Sequence, residues 1–165
     1  SDEKARAQRY AAMRGLVAEG FADFARRTAS AATHPDIRLL GTSGTVTTLA
    51  SLHLELPHYD RKAVDGLIVP ASAMRGISAR LSAMSPAERS MVPCIGNDRA
   101  DLVVAGCAIL EAILDIWPAR RLGVADRGIR EGILRSLMAS DRAGQQAQRQ
   151  LQHGRAPSVP PAPLA

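Results

Sequence analysis

Aromatic residues make up only 3 % of this 165-residue chain: two tyrosines, two phenylalanines and one tryptophan. So few flat rings give poor support to a stacking platform for single-stranded nucleic acid, and no specific nucleic-acid partner is expected. Cysteine is nearly as scarce. Cys94 and Cys107 form no CxxC unit and have no nearby histidine pair, which argues against a zinc site or a disulfide framework and for two buried thiols in a reducing cytoplasm. No apolar run approaches the roughly 20 residues of a membrane span, and the charged N-terminal stretch is not a signal peptide, so no membrane partner is expected. His34, His53, His58 and His153 share no metal-ligand spacing.

What is present is a soluble balance of 46 % hydrophobic and 22 % charged residues, enough for one core built from Leu, Ile, Val, Met and Ala. The net charge of +5 suggests an anionic partner, but it is unevenly spread. Arg142, Arg149 and Arg155 lie in a segment without any acid, which leaves +2 for the rest. A basic tail and a functional basic site explain the excess equally well.

Residues 3–30 read as one amphipathic helix, with Tyr10, Met13, Val17, Phe21 and Phe24 at spacings of three and four. Ile37–Leu40 reads as a strand, Gly41-Thr42-Ser43-Gly44-Thr45 as a tight turn, and Val46–Leu54 as a helix. A short strand over Gly66–Pro70 and a helix over Ala71–Met84 follow. Ser85-Pro86-Ala87-Glu88 carries a capping box. Asp98–Trp117 is the clearest helix, with Leu102, Val103, Gly106, Ile109, Leu110, Ile113, Leu114 and Trp117 in one stripe opposed by Asp101, Glu111 and Asp115. A buried strand over Leu122–Ala125 and a helix over Ile129–Met138 complete the pattern. Residues 142–165, rich in Gln and Pro, read as a disordered basic tail that is dispensable for folding. Strands alternating with helices imply an α/β layer fold with some parallel pairing. Three strands are few for a complete sheet, and the first residue is Ser, so the chain reads as the back part of something longer.

Three turns could carry chemistry. In Gly41–Thr45 the two glycines permit close backbone approach, and Ser43 and Thr45 stand at a helix start, where free N–H groups favour an anion. Neither a P-loop nor a GxGxxG fingerprint is present, and a simple cap is the competing reading. In Asn97–Asp101, Asp98 fits an N-cap and Asp101 an N3 position. Arg99 opposes the helix dipole there, so an anionic ligand or a buried carboxylate such as Asp126 is expected to answer it. In Asp126–Gly132, Asp126 is placed to cap, and a structural role suffices.

The segments RLLGTSGTVTTLASL, RADLVVAGCAILEAI and RRLGVADRGIREGIL, in this order, resemble the second half of exopolyphosphatase/guanosine pentaphosphate phosphohydrolase (Ppx/GppA) proteins. The resemblance covers about residues 5–140. It implies an incomplete, helix-rich α/β second domain of ribonuclease H-like type (actin-like ATPase superfamily) over residues 1–141, with 142–165 as tail. It implies a magnesium-dependent hydrolase that releases orthophosphate from polyphosphate or guanosine pentaphosphate, by attack of a water activated by a glutamate. The resemblance puts that glutamate, the two phosphate loops and the magnesium carboxylates in a preceding domain of the same protein. What it leaves to this chain is one wall of the cleft: Gly41, Thr42, Ser43, Gly44, Thr45 and Arg99. The fragment alone is then expected to be inactive. A non-hydrolytic nucleotide or polyanion module, or a dimerisation module built on the long helices, are the alternatives. Phosphate release by the longer protein and light scattering on the fragment would separate them.

Overall fold

The computed structural model of the chain describes residues 2–153, and side-chain surroundings as far as residue 149. It divides into two compact units, Ser1–Asp126 and Arg127–Ala165. The first unit carries α1 (Asp2–Arg27), α2 (Ala29–Ala32), β1 (Leu39–Gly41), α3 (Gly44–His53), α4 (Arg61–Val64) and β2 (Ile68–Pro70). It continues with α5 (Ala71–Ala83), α6 (Pro86–Ser90), a 3-10 turn (Asn97–Arg99), α7 (Leu102–Ile116) and β3 (Arg121–Val124). The second unit carries α8 (Ile129–His153).

The three strands of the first unit form one sheet in the order β1-β3-β2. β1 runs parallel to β3, with Leu39 opposite Leu122 and Gly41 opposite Val124, while β2 runs antiparallel with Ile68 opposite Gly123. Val69, Leu122 and Val124 are buried, and the alternate positions Leu40 and Ile68 are 68 % and 63 % exposed. The strands therefore have one core-facing side, as a period of two dictates. The core is aliphatic, with Leu49, Met74, Leu81, Leu114 and Val64 fully buried. Cys107 is buried and Cys94 half-buried, both as free thiols.

α7 departs from the sequence reading in two ways. It begins at Leu102 rather than Asp98, because Gly96 (φ 65°) turns the chain and Asn97–Arg99 forms a separate 3-10 turn. Asp98 therefore does not cap α7, and Asp101 at the cap position makes no side-chain bond to the helix. The buried Arg89 holds this junction instead. Its Nε donates to the Ala100 carbonyl at 2.5 Å, and its Nη1 donates to the Leu81 carbonyl at 3.3 Å and to that of Met84. The buried face also differs. Leu102 is 70 % exposed and Ile109 44 %, whereas Glu111 is buried. α7 is packed by α1 on one side and α5 on another, so more than a single stripe is covered. Glu111 is tolerated inside because Arg14 of α1 reaches it at 3.1 Å.

Arg14 also pairs with Asp115, whose other oxygen takes Arg75 of α5 at 2.8 Å. One cationic side chain thus ties α1 to two acids on α7, and α5 joins through the second. Farther along α1, Phe21 and Phe24 meet Trp117 edge-on at ring distances of 6.0 and 5.6 Å, and the Trp117 Nε1–H donates to Thr28 Oγ1 at 3.2 Å. The capping box at α6 is as read: Ser85 and Glu88 exchange hydrogen bonds of 2.7 and 3.3 Å.

α8 is longer than periodicity predicts. It runs past Met138 to His153, so residues 142–153 are helical, which corrects the disordered-tail reading for that stretch. Ala, Gln and Arg are good helix formers, and they dominate there without a proline. Residues 154–165, the rest of that tail, lie outside the described residues. Along α8, Ile129, Ile133, Leu134, Leu137 and Met138 are exposed. Among the described residues, no helix is long and apolar enough to cross a membrane.

The acid cluster predicts a pH dependence. Burial alone would raise the Asp115 carboxyl, but hydrogen bonds from Arg14 and Arg75 outweigh it and hold the group below its ordinary value. A depressed folded-state value contributes stability that is complete above the unfolded value of about 3.9 and lost as pH falls through the folded one. The difference in urea midpoint between wild type and Asp115→Asn should be constant from pH 5 to 7 and shrink below about pH 4. Arg14→Ala, which leaves Glu111 buried without its cation, should cost about 1.5–3 kcal/mol.

Candidate functional site

Parallel strands gather ligand-facing loops at their carboxyl ends, and β1 delivers Gly41–Thr45 there. Ser43 has extended backbone geometry and caps α3, its Oγ accepting from the Val46 N–H at 3.3 Å. The cap role expected for this turn is therefore real, but it satisfies only one donor. The N–H groups of Gly44 and Thr45, at the start of the helix, have no intrahelical acceptor and stand at its positive end. Thr47 and Thr48 both donate from Oγ1 to the Gly44 carbonyl, at 3.1 and 2.8 Å, and tighten this turn.

The two glycines of the turn do different work. A Cβ at Gly41 would fall 2.7 Å from both methyls of Val46, so Gly41 is required for packing. A Cβ at Gly44 would meet only the Arg99 guanidinium, at 3.8 Å. Gly44 is thus where backbone lies bare beside a cation.

Arg99 is exposed and sits in the 3-10 turn, not in the first turn of α7. The dipole conflict read from sequence is corrected accordingly. Its Nη1 donates to Thr48 Oγ1 at 3.3 Å, and among the described residues no carboxylate pairs with it. Asp126, the acid considered for that role, is engaged elsewhere. Its carboxylate accepts from the Tyr59 hydroxyl at 2.6 Å and pairs with Arg61 Nε at 3.1 Å, while its N–H donates to Asp65 Oδ1 at 3.0 Å. Burial first, and then the Asp126 hydrogen bond, pushes the Tyr59 hydroxyl up to about 12. In the first turn of α8, Glu131 accepts from the Gly128 N–H at 2.8 Å.

Gly44, Thr45, Thr48, Arg99, Leu102 and Val103 enclose a notch of about 290 Å³. Of the residues expected at the site, the structure brings Gly44, Thr45 and Arg99 to this notch. Thr42 and Ser43 flank it on the exposed turn, and Gly41 lies behind Val46. Sequence reasoning missed Thr48, whose hydroxyl links the Gly44 carbonyl to Arg99, and it put Leu102 in the core. The signal for Thr48 is its place one helical turn after Gly44. No carboxylate lines the notch. Among the described residues, no group of three or more His, Cys, Asp or Glu could hold a metal ion. The magnesium that the resemblance implies does not fit these residues.

The fold belongs to a known class of phosphatases. The Ppx/GppA phosphatase family model matches residues 1–141, and the chain belongs to that family. It is 28 % identical over 102 residues to exopolyphosphatase 2 of Mycobacterium tuberculosis, covering 59 % of this chain and 32 % of that protein. A crystal structure of the Aquifex aeolicus member of the Ppx/GppA family superposes with a TM-score of 0.61 at 28 % identity, over 74 % of this chain and 40 % of the other. An exopolyphosphatase from Cytophaga hutchinsonii shares the fold, with a TM-score of 0.68 at 19 % identity, over 81 % of this chain and 42 % of the other. The chain spans about a third of the length of the curated relative.

The two walls of the notch meet at Gly106, where a Cβ would fall 2.0 Å from Thr45 Oγ1. Gly106→Ala should force α3 away from α7 and cost about 1–3 kcal/mol by overpacking, read as a lowered urea midpoint at unchanged m-value.

Proposed function

We propose that this chain forms one wall of the catalytic cleft of an exopolyphosphatase or guanosine pentaphosphate phosphohydrolase, and that its notch holds a phosphate group of the substrate. The observation that carries this reading is the pairing of a guanidinium with no carboxylate partner among the described residues, Arg99, with the open first turn of α3 across one small notch. Backbone N–H groups at a helix start and a cation within reach are a phosphate-binding combination. Membership of a phosphatase family and a relative named exopolyphosphatase support the substrate class.

In this role the Gly44 and Thr45 N–H groups would bind phosphate oxygens, and Arg99 would neutralise charge that builds up during transfer. Thr48 would act as a positioning residue, holding the guanidinium toward the turn. With no carboxylate lining the notch, the base that activates water and the groups that organise magnesium would come from a preceding domain. The three-stranded sheet would then be the latter part of a ribonuclease H-like domain. Nothing in the notch selects polyphosphate over the nucleotide.

Arg99→Gln should weaken binding of inorganic tripolyphosphate to the chain by about 1.5–3 kcal/mol, roughly a 10- to 150-fold rise in Kd. The loss should shrink in high salt as screening weakens the wild-type contact. Stability should hold within about 0.5 kcal/mol, as for an exposed side chain. Unchanged affinity with a clear fall in Tm would make Arg99 a structural residue and contradict the assignment. The chain alone should release no orthophosphate from long-chain polyphosphate with magnesium; turnover of about 1 per second or more would show that it contains its own base.

A further inference from the structure

At the opposite end of the sheet from the notch, three arginines converge on a second cavity. Arg38 leads into β1, Arg120 leads into β3, and Arg121 is the first residue of β3. The parallel register sets Leu39 opposite Leu122, so one step earlier it sets Arg38 alongside Arg121. Leu122 points into the core, and by alternation Arg121 points away from it. Arg38, Arg120 and Arg121, with His34 and Asp36, line a cavity of about 560 Å³.

Like charges on adjoining strands repel each other. Elsewhere Arg6, Arg14, Arg26, Arg61, Arg75 and Arg89 each meet a carboxylate. Among the described residues, Arg38, Arg120 and Arg121 meet none. Asp36 is the only acid lining the cavity, and three arginines against one aspartate leave it at +2. The Asp36 N–H donates to His34 Nδ1 at 3.2 Å, which leaves Nε2 as the donor of that ring. The lining holds no Phe, Tyr or Trp on which a base could stack.

We propose that this cavity is a second anion site, which takes phosphate groups of an inorganic oligo- or polyphosphate chain. It extends the reading of the notch to a second contact with the same class of ligand, but it rests on separate residues. A chain-like polyanion can engage two such sites on one protein, whereas a single phosphate engages one. The absence of a stacking surface makes the phosphate chain itself, rather than a nucleoside, the recognised part.

The test is calorimetric titration of the full chain with inorganic tripolyphosphate at low salt, with thermal melts of the same proteins. Wild type should bind two tripolyphosphates, and Arg38→Gln/Arg121→Gln should lose one of them, with affinity at that site down at least tenfold. Without ligand, the double variant should melt at or above the wild-type Tm because the repulsion is gone; with tripolyphosphate it should gain less in Tm. Arg38→Lys/Arg121→Lys should retain the site. Arg27→Gln/Arg80→Gln, which removes equal charge elsewhere, should keep both sites; an equal loss there would overturn the proposal in favour of bulk charge. Wild-type binding by the Arg38→Gln/Arg121→Gln variant, or a lower ligand-free Tm, would overturn it as well. Arg99→Gln separates the two readings. If it alone abolishes all binding, the second site is overturned and the notch stands; if it changes nothing while the double variant loses its site, the reverse holds.

Discussion

The contact of α3 with α7 at Gly106 is the constraint on which the site depends. Thr45 occupies the space that any side chain at position 106 would need, so the two helices meet at backbone distance there. That approach brings the first turn of α3 and the turn that precedes α7 to the two sides of one notch. At the other end of the same turn, Gly41 lets Val46 close against the end of β1. Two absent side chains therefore seat the start of α3, and a third, at Gly44, leaves its backbone open beside Arg99.

The rest of the first unit holds α7 still enough for that geometry to matter. Arg14 spans Glu111 and Asp115, and Arg75 brings α5 to the same cluster. Charges this close to a core contribute by satisfying one another, since an acid such as Glu111 is costly to bury alone. The Trp117 contacts with Phe21 and Phe24 fasten the far end of α1. Most of the chain's few aromatic rings are spent at this one joint.

Local patterns were legible in the sequence wherever the cause was local. The capping box at Ser85, the strand–turn–helix around Gly41–Thr45 and the three short strands all follow from neighbours a few residues apart. Elsewhere the deciding residue lies outside the element's own pattern. Arg89 and Gly96 shift the start of α7 to Leu102, and no periodicity within α7 reveals that. Asp115 bonds a residue 101 positions away, and Glu111 shares that partner, so its burial contradicts its charge until α1 is in place. The length of α8 is hidden for another reason: its Gln-rich stretch lacks hydrophobic periodicity but keeps a high helix propensity. The 3-10 turn removes the dipole argument for Arg99; the absence of an acid partner among the described residues and its closeness to Gly44 carry the assignment.

The role proposed for the notch requires phosphate to be held at the start of α3. The most direct test is to follow backbone amide and arginine Nε resonances of the isotope-labelled chain while inorganic tripolyphosphate is added. The Gly44 and Thr45 amides and the Arg99 Nε signal should shift together, saturate with one common Kd, and lead all other residues in α3 and α7. Saturable binding that leaves Gly44 and Thr45 unmoved would contradict it.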